Sequence, residues 1–298
     1  MGLNCITCSR VRSREEARFV MIGNSIDALM PAEMAQKAEE IGVVKAGADV
    51  SKTFVLAVLA GAFIALGALF STVAVTGALG VLPFGVVRVL AGLAFSLGLV
   101  LVSVGGAELF TGNNLIVMAW ASGKISTGHL LRNWSVVYLG NFLGAVLTAV
   151  FAFLAEHHRF GNGLVGETAL QIAQTKMNHG FFTAFVLGVL GNALVCLAVW
   201  LSFSARTTVD RIVAIVPVIT AFVAAGFEHS VANMYFVPFA LFVQGPGALT
   251  WDRFLLGNLL PVTLGNIVGG ALLVGAMYWF VYHAAASGLR SRSAQRKR

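Results

Sequence analysis

The sequence predicts an all-α polytopic membrane protein of six transmembrane helices. They are expected as a 3+3 inverted repeat with broken second and fifth helices. Three observations carry this. Of the 298 residues, 58% are hydrophobic and 11% charged, against about 25% charged in an ordinary soluble domain, and the apolar residues fall in long runs. Two of those runs are interrupted by glycine, carboxylate and amide residues. Three patterns of the first half also return, in the same order, in the second. The net charge of +7 does not argue for nucleic acid, because the Lys and Arg lie outside the apolar runs, as membrane topology requires. The lipid bilayer is the expected partner, and no nucleic acid is.

Residues 1–20 are Arg-rich and lack the apolar core of a cleaved signal. They read as a basic extension, with Met21 the better start of translation. Cys5 and Cys8 form a lone CxxC without a second pair or a His cluster, and Cys196 sits inside an apolar run as a small hydrophobe. Neither a disulfide framework nor a metal site is expected. Within residues 21–50, Leu29, Met30, Met34, Ala38 and Ile41 recur at helical spacing, with Pro31 near the first turn. A short amphipathic helix at the membrane surface is expected, either as an interfacial anchor or, in the sharper reading, as a gating lid.

A pore domain is expected over residues 51–283. Its first span runs from about Thr53 to Val75, roughly 23 residues and about 35 Å, enough for a slightly tilted crossing. A second passage starts near Pro83, reaches Ser103, and then meets Gly105-Gly106-Ala107-Glu108-Leu109-Phe110-Thr111-Gly112-Asn113-Asn114. Broken backbone at membrane depth is tolerated only where protein packs it or where it lines a wet cavity. This segment is therefore a candidate pore element. The third span, about Trp134 to Leu154, sets Gly140 and Gly144 around Asn141 for close helix packing. A polar connection from Glu156 to His179 follows, with a surface helix expected from Glu167 to Lys176, and then a fourth span from about Phe181 to Phe203. The fifth passage, about Arg211 to Phe242, carries Gly226-Phe227-Glu228-His229-Ser230-Val231-Ala232-Asn233 between apolar flanks. Charged side chains at mid-membrane cost a few kcal/mol or more, and they usually face a cavity, a partner or a transport path. The sixth span covers about Leu255 to Val281, and residues 284–298 form a basic tail.

Of the 20 Lys and Arg, all except Arg88, Arg159, Lys176 and Arg253 fall in the amino-terminal segment, in the connections after the second and fourth spans, or in the tail. That side is expected to be cytoplasmic, with both termini inside. The repeat is read from three matches. Phe54-Val55-Leu56-Ala57-Val58-Leu59-Ala60-Gly61 pairs with Phe185-Val186-Leu187-Gly188-Val189-Leu190-Gly191-Asn192. Glu108 with Asn113 recurs as Glu228 with Asn233, and Asn133 with Gly140-Asn141 recurs as Asn258 with Gly265-Asn266. Three spans per half invert the second half, and the two broken segments should then face one pathway.

Leu109-Phe110-Thr111-Gly112-Asn113 after Gly-Ala-Glu, the run Asn192 to Trp200, Gly226 to Asn233, and Leu260 to Asn266 together resemble the formate/nitrite transporter family, its formate channel branch in particular. Asp27 to Ala35 extends the resemblance toward the amino terminus. The resemblance implies an aquaporin-like fold assembled as a homopentamer, with one path through each protomer. It further implies transport of formate or formic acid by an anion channel or a formate–proton symporter, with nitrite as a further cargo, in a bacterial-type inner (plasma) membrane and without a cofactor. By matching positions, it makes His229 the central pathway histidine, Thr111 its partner, Asn192 and Asn266 polar neighbours, and Lys176 the basic residue of the outer vestibule. Glu228 and Glu108 are buried carboxylates that either hold the broken loops or move protons. Leu99, Phe110 and Phe222 match apolar constrictions. A histidine there can lend a proton or present an N–H dipole. Nitrite or hydrosulfide as the main cargo is the alternative within transport. An aquaporin-like neutral-solute facilitator would bring paired Asn-Pro-Ala motifs, which this sequence lacks. No nucleophile–base set or metal-ligand spacing appears in the spans, so an enzyme is not expected.

Overall fold

The structure, a computed structural model, describes residues 28–78 and 80–284. The basic extension, Met21, the Cys5/Cys8 pair, Asp27 and the tail from residue 285 onward lie outside the described residues. Every element described is helical. A first helix, α1 (Pro31–Gly47), precedes the spans. The spans are α2 (Val50–Val75), α3 (Phe84–Gly105), α5 (Thr127–Leu154), α7 (Phe181–Ser204) and a long last helix, α10 (Arg253–Tyr282). The remaining passage is split into α8 (Thr208–Ala224) and α9 (Ser230–Gln244). After α3 the chain breaks in the same manner, and it resumes as a tight turn at Gly112–Ile116 followed by α4 (Val117–Ala121). The surface helix α6 (Leu164–Met177) starts earlier than the Glu167 expected from sequence, because Leu164 and Val165 continue its apolar side. In α10, wider turns at Arg253–Leu259 and Val268–Ala276 alternate with α-helical ones, the kind of winding that recurs at functional sites.

Small residues set the packing. A side chain on Gly144 would collide with the Val58 carbonyl, and one on Gly269 with the Val189 carbonyl. α5 therefore approaches α2 backbone to backbone, as α10 approaches α7. Such contact replaces the hydrophobic driving force that lipid cannot supply between helices.

α1 buries a wider face than its apolar spacing suggests. Met34 and Ala38 are buried as expected, but the buried face continues through Ala35, Glu39, Gly42 and Ala46, leaving Met30 exposed. The reason is that α1 docks on protein. Met34, Ala35 and Ala38 pack with Met118 and Trp200, and Gly42 lies against Ala119. Buried Glu39 is satisfied by Lys124 and Ser122, and Trp279 of α10 donates to the same Ser122 oxygen at 2.9 Å. α1 thus covers the broken segment from residue 106 to 116.

Candidate transport site

The first loop leaves α3 through Gly106, whose φ of 77° is favourable only for glycine. The second leaves α8 through Gly226 at φ 79°. Each loop then makes the same hydrogen bonds. The Glu108 N–H donates to the Leu56 carbonyl and the Glu228 N–H to the Leu187 carbonyl, both at 3.2 Å. Asn141 accepts from the Phe110 N–H at 2.8 Å and donates to the Ala57 and Glu108 carbonyls. Asn266 accepts from the Ser230 N–H at 2.9 Å and donates to the Gly188 and Glu228 carbonyls. Backbone polar groups that a break would orphan at membrane depth are in this way paired by amide side chains from a neighbouring span.

The carboxylates sit behind these loops. Asn113 donates to Glu108 at 2.7 Å and to Asn133 at 3.0 Å. Asn233 donates to Glu228 at 2.6 Å and to Asn258 at 2.8 Å. Lys176 pairs with Glu228 at 2.9 Å and stands 5.4 Å from the centroid of the Phe236 ring. Lys45 of α1 pairs with Glu108 at 3.2 Å. Sequence reasoning singled out Lys176 and passed over Lys45, although the signal was available: Lys45 stands nine residues before Phe54, as Lys176 stands nine before Phe185. The repeat therefore includes the surface helices α1 and α6 as well as the spans.

Between the loops, His229 and Thr111 meet at 2.8 Å through His Nε2 and Thr Oγ1, both residues fully buried. The His229 Nδ1 accepts the Ala232 N–H at 3.0 Å and so caps the start of α9. That bond occupies the Nδ1 lone pair. In the neutral ring, Nε2 consequently carries the hydrogen and donates it to Thr111, whose own hydroxyl hydrogen remains available to a solute. Asn192 does not reach His229. Its amide donates to the Thr111, Asn266 and Asn114 oxygens, and the Cys196 thiol also donates to the Thr111 carbonyl at 3.2 Å. Asn192, Asn266 and Cys196 therefore hold the backbone that presents the pair.

A cavity of about 230 Å³ opens beneath α1 and reaches Leu99, Leu109 and Gly112. On the other side of the pair, the Phe222 ring lies edge-on to the His229 ring at 5.9 Å and beside Phe95 at 6.1 Å. The Phe110 ring turns toward α5, edge-on to Tyr138 at 4.9 Å and to Trp134 at 6.3 Å. Leu109, which the sequence did not single out, lines the cavity together with Leu99.

Two broken spans meeting at a buried polar pair, with apolar walls and an ion pair on each side, define a membrane transport protein. The profile described as formate/nitrite transporter matches residues 32–280. The chain is 44% identical over 275 residues to the formate channel FocA of Escherichia coli strain K12, covering 87% of this chain and 96% of that protein. It is 40% identical over 264 residues to the formate channel FocA of Haemophilus influenzae, covering 83% of this chain and 93% of that one. A solved structure described as a pentameric formate channel with formate bound superposes with a TM-score of 0.73 at 43% identity, covering 78% of this chain and 97% of that chain. The chain belongs to the formate/nitrite transporter family.

Proposed function

We propose that this protein conducts formate across a bacterial-type plasma membrane as a homopentamer, with both termini cytoplasmic and each protomer carrying its own path. The cargo and the assembly come from the relatives that bear those names and from the formate-bound pentameric structure. The orientation comes from the one-sided Lys and Arg. The path runs from Lys176 past Phe222 to His229 and Thr111, and on past Leu99 and Leu109 to Lys45. One observation carries the reading: the His229–Thr111 bond at the junction of the two loops, its Nε2–H orientation fixed by the Ala232 amide.

The ammonium groups at the mouths draw in a small carboxylate. Beyond them, the Leu and Phe side chains replace water with an apolar wall. Desolvation disfavours the charged form, so the cargo takes a proton from the bulk water at the mouth before the narrowest stretch, crosses as the neutral acid, and returns the proton to water on the other side. The His229 and Thr111 dipoles then supply the hydrogen bonds that the wall does not. In this account His229 works as a neutral donor held in place and does not pass its own proton. Glu108 and Glu228 hold the loops.

Formate uptake into proteoliposomes at two pH values, with lumenal pH recorded and nitrite as competitor, tests the proposal. The expected result is uptake that acidifies the lumen and is insensitive to membrane potential. Potential-driven flux without proton movement would replace neutral-acid passage by an anion channel. Brisk nitrite flux without formate flux would move the cargo to nitrite.

A further inference from the structure

The mouth beneath α1 holds more positive charge than its carboxylate balances. Lys37, Lys45, Arg211 and Glu108 all line the 230 Å³ cavity. Lys45 is committed to Glu108 and to Asn113, the latter at 2.8 Å. Lys37 and Arg211 have no carboxylate partner among the described residues. The Lys37 ammonium donates one hydrogen to the Phe203 carbonyl at 2.9 Å and keeps two. The Arg211 guanidinium donates through one terminal nitrogen to the Ser103 carbonyl at 3.2 Å, while its Nε–H is buried with no acceptor among the described residues. A buried donor left in this way costs free energy until something accepts from it. Partial burial and then the nearby Arg211 and Arg206 hold Lys37 below the ordinary lysine range, as expected of cations crowded around a space with too little negative charge.

Among the described residues, the repeat counterparts of these two cations do not reproduce the surplus. The repeat puts Thr168 where α1 has Lys37, and Thr168 bonds its own helix at the Leu164 carbonyl. Arg88, the nearest counterpart of Arg211, spends its guanidinium on the Val223 and Ala224 carbonyls that end α8. Among these counterparts, the surplus belongs to the α1 side.

We propose that Lys37 and Arg211 form a binding site for a small, soluble, doubly charged oxyanion of the phosphate class, distinct from the Lys45–Glu108 pair, and that its occupancy plugs this mouth. One dianion neutralises both cations, whereas a monoanion such as the cargo leaves one uncompensated. The terminal guanidinium N–H groups of Arg211 that are not given to Ser103, and the two remaining Lys37 hydrogens, supply charge-assisted donors at the cavity wall. A dianion lodged there would have to shed two charges to pass Leu99 and Leu109. It therefore blocks the path.

The blocking part rests on the transport reading above, but the binding part does not, and the two are measured separately. Titration calorimetry of the full-length protein in neutral-lipid nanodiscs with inorganic phosphate, at low ionic strength, should give saturable binding. Lys37→Gln or Arg211→Gln should each weaken it by about tenfold or more, the loss of one charged hydrogen bond, while Arg159→Gln, exposed on the opposite side, leaves it unchanged. In proteoliposomes, phosphate on the α1 side should slow formate flux in the native protein and not in Arg211→Gln. Where Arg211→Gln does not fold, Lys37→Gln provides the same comparison. Absence of saturable phosphate binding in the folded protein, or binding indifferent to both substitutions, would overturn the site. Displacement of phosphate by phosphatidic acid at equal concentration would overturn a soluble ligand. Phosphate binding with unimpeded formate flux would overturn the plug alone, and no formate flux under any condition would count against the transport reading while leaving the calorimetry to decide the site.

Discussion

The loop after α3 and the loop after α8 share one set of hydrogen bonds, and the residues that meet between them differ. Gly106 and Gly226, Glu108 and Glu228, Asn113 and Asn233, and their partners Asn133 and Asn258, and Asn141 and Asn266, make one set of bonds twice. In the same alignment His229 falls opposite Leu109, and Thr111 opposite Val231. What is repeated holds broken backbone at membrane depth. What is not repeated makes one polar pair from two loops, an arrangement that two identical halves could not provide. The substitutions that follow test this division.

The largest effect should come from the repeated carboxylates, and it should be unequal. Removing one partner of a buried ion pair strands the other charge and costs roughly 3–5 kcal/mol. The Glu228 side chain is 2% exposed and that of Glu108 is 13%. Glu228→Ala is therefore expected near that range and Glu108→Ala at about half of it, because water reaches the second site. Denaturant unfolding in detergent micelles reads both losses. Equal losses would mean that exposure does not distinguish the two halves.

The glycine contacts should be symmetric. Gly144→Ala and Gly269→Ala each push a methyl group into the carbonyl of a facing span, and overpacking of this kind costs about 1–3 kcal/mol. The same unfolding measurement should give values within about 0.5 kcal/mol of each other. A clear inequality would show that the close approach of α5 to α2 is not reproduced by α10 on α7.

The polar pair should be asymmetric in function, and losing it should cost about 1–3 kcal/mol of stability, because the buried His229 Nε2–H is left without an acceptor. Thr111→Val removes the acceptor of the His229 Nε2–H, a bond worth about 1 kcal/mol, or roughly five- to tenfold in rate if it is made to the crossing solute. Val231→Thr, at the matched position of the other loop, should leave formate flux unchanged. If both variants change flux alike, the pair is not the point where the halves diverge.

Much of this division was legible in the sequence, for physical reasons. Spans and breaks were readable because a bilayer demands long apolar runs and makes each interrupting Glu, Asn or His conspicuous. The repeated spacing of Glu108/Asn113 and Glu228/Asn233 was readable as a pattern before any contact was known. Side-chain packing was less so. The burial of Glu39 on α1 depends on Lys124 and Ser122, which no local periodicity brings to mind. The contact of Phe110 with Tyr138, and the place of Leu109 in the cavity wall with Leu99, follow from the loop conformation. The signal for Lys45, its spacing to Phe54, was present in the sequence but went unused, because the apolar spacing of α1 suggests a membrane-surface element outside the repeat.

The smallest test lies at the starts of the first spans of the two halves. α2 begins at Asp49, whose carboxylate accepts the Lys52 N–H at 2.9 Å. The matched start of α7 is Gly180, which has no side chain to cap the helix. Its φ of −65° and ψ of 159° suit any residue, and a side chain there would meet nothing within 4 Å. Asp, Asn and Ser are better N-caps than Gly by a few tenths of a kcal/mol, and replacing an Asp cap by Ala costs about 1 kcal/mol. Gly180→Asp is therefore expected to stabilise the protein slightly, and Asp49→Ala to destabilise it by about 1 kcal/mol, both read as shifts of the thermal midpoint in the same detergent. A destabilising Gly180→Asp would show that the added carboxylate does not cap α7, since neither the backbone conformation nor the space at this position disfavours a side chain.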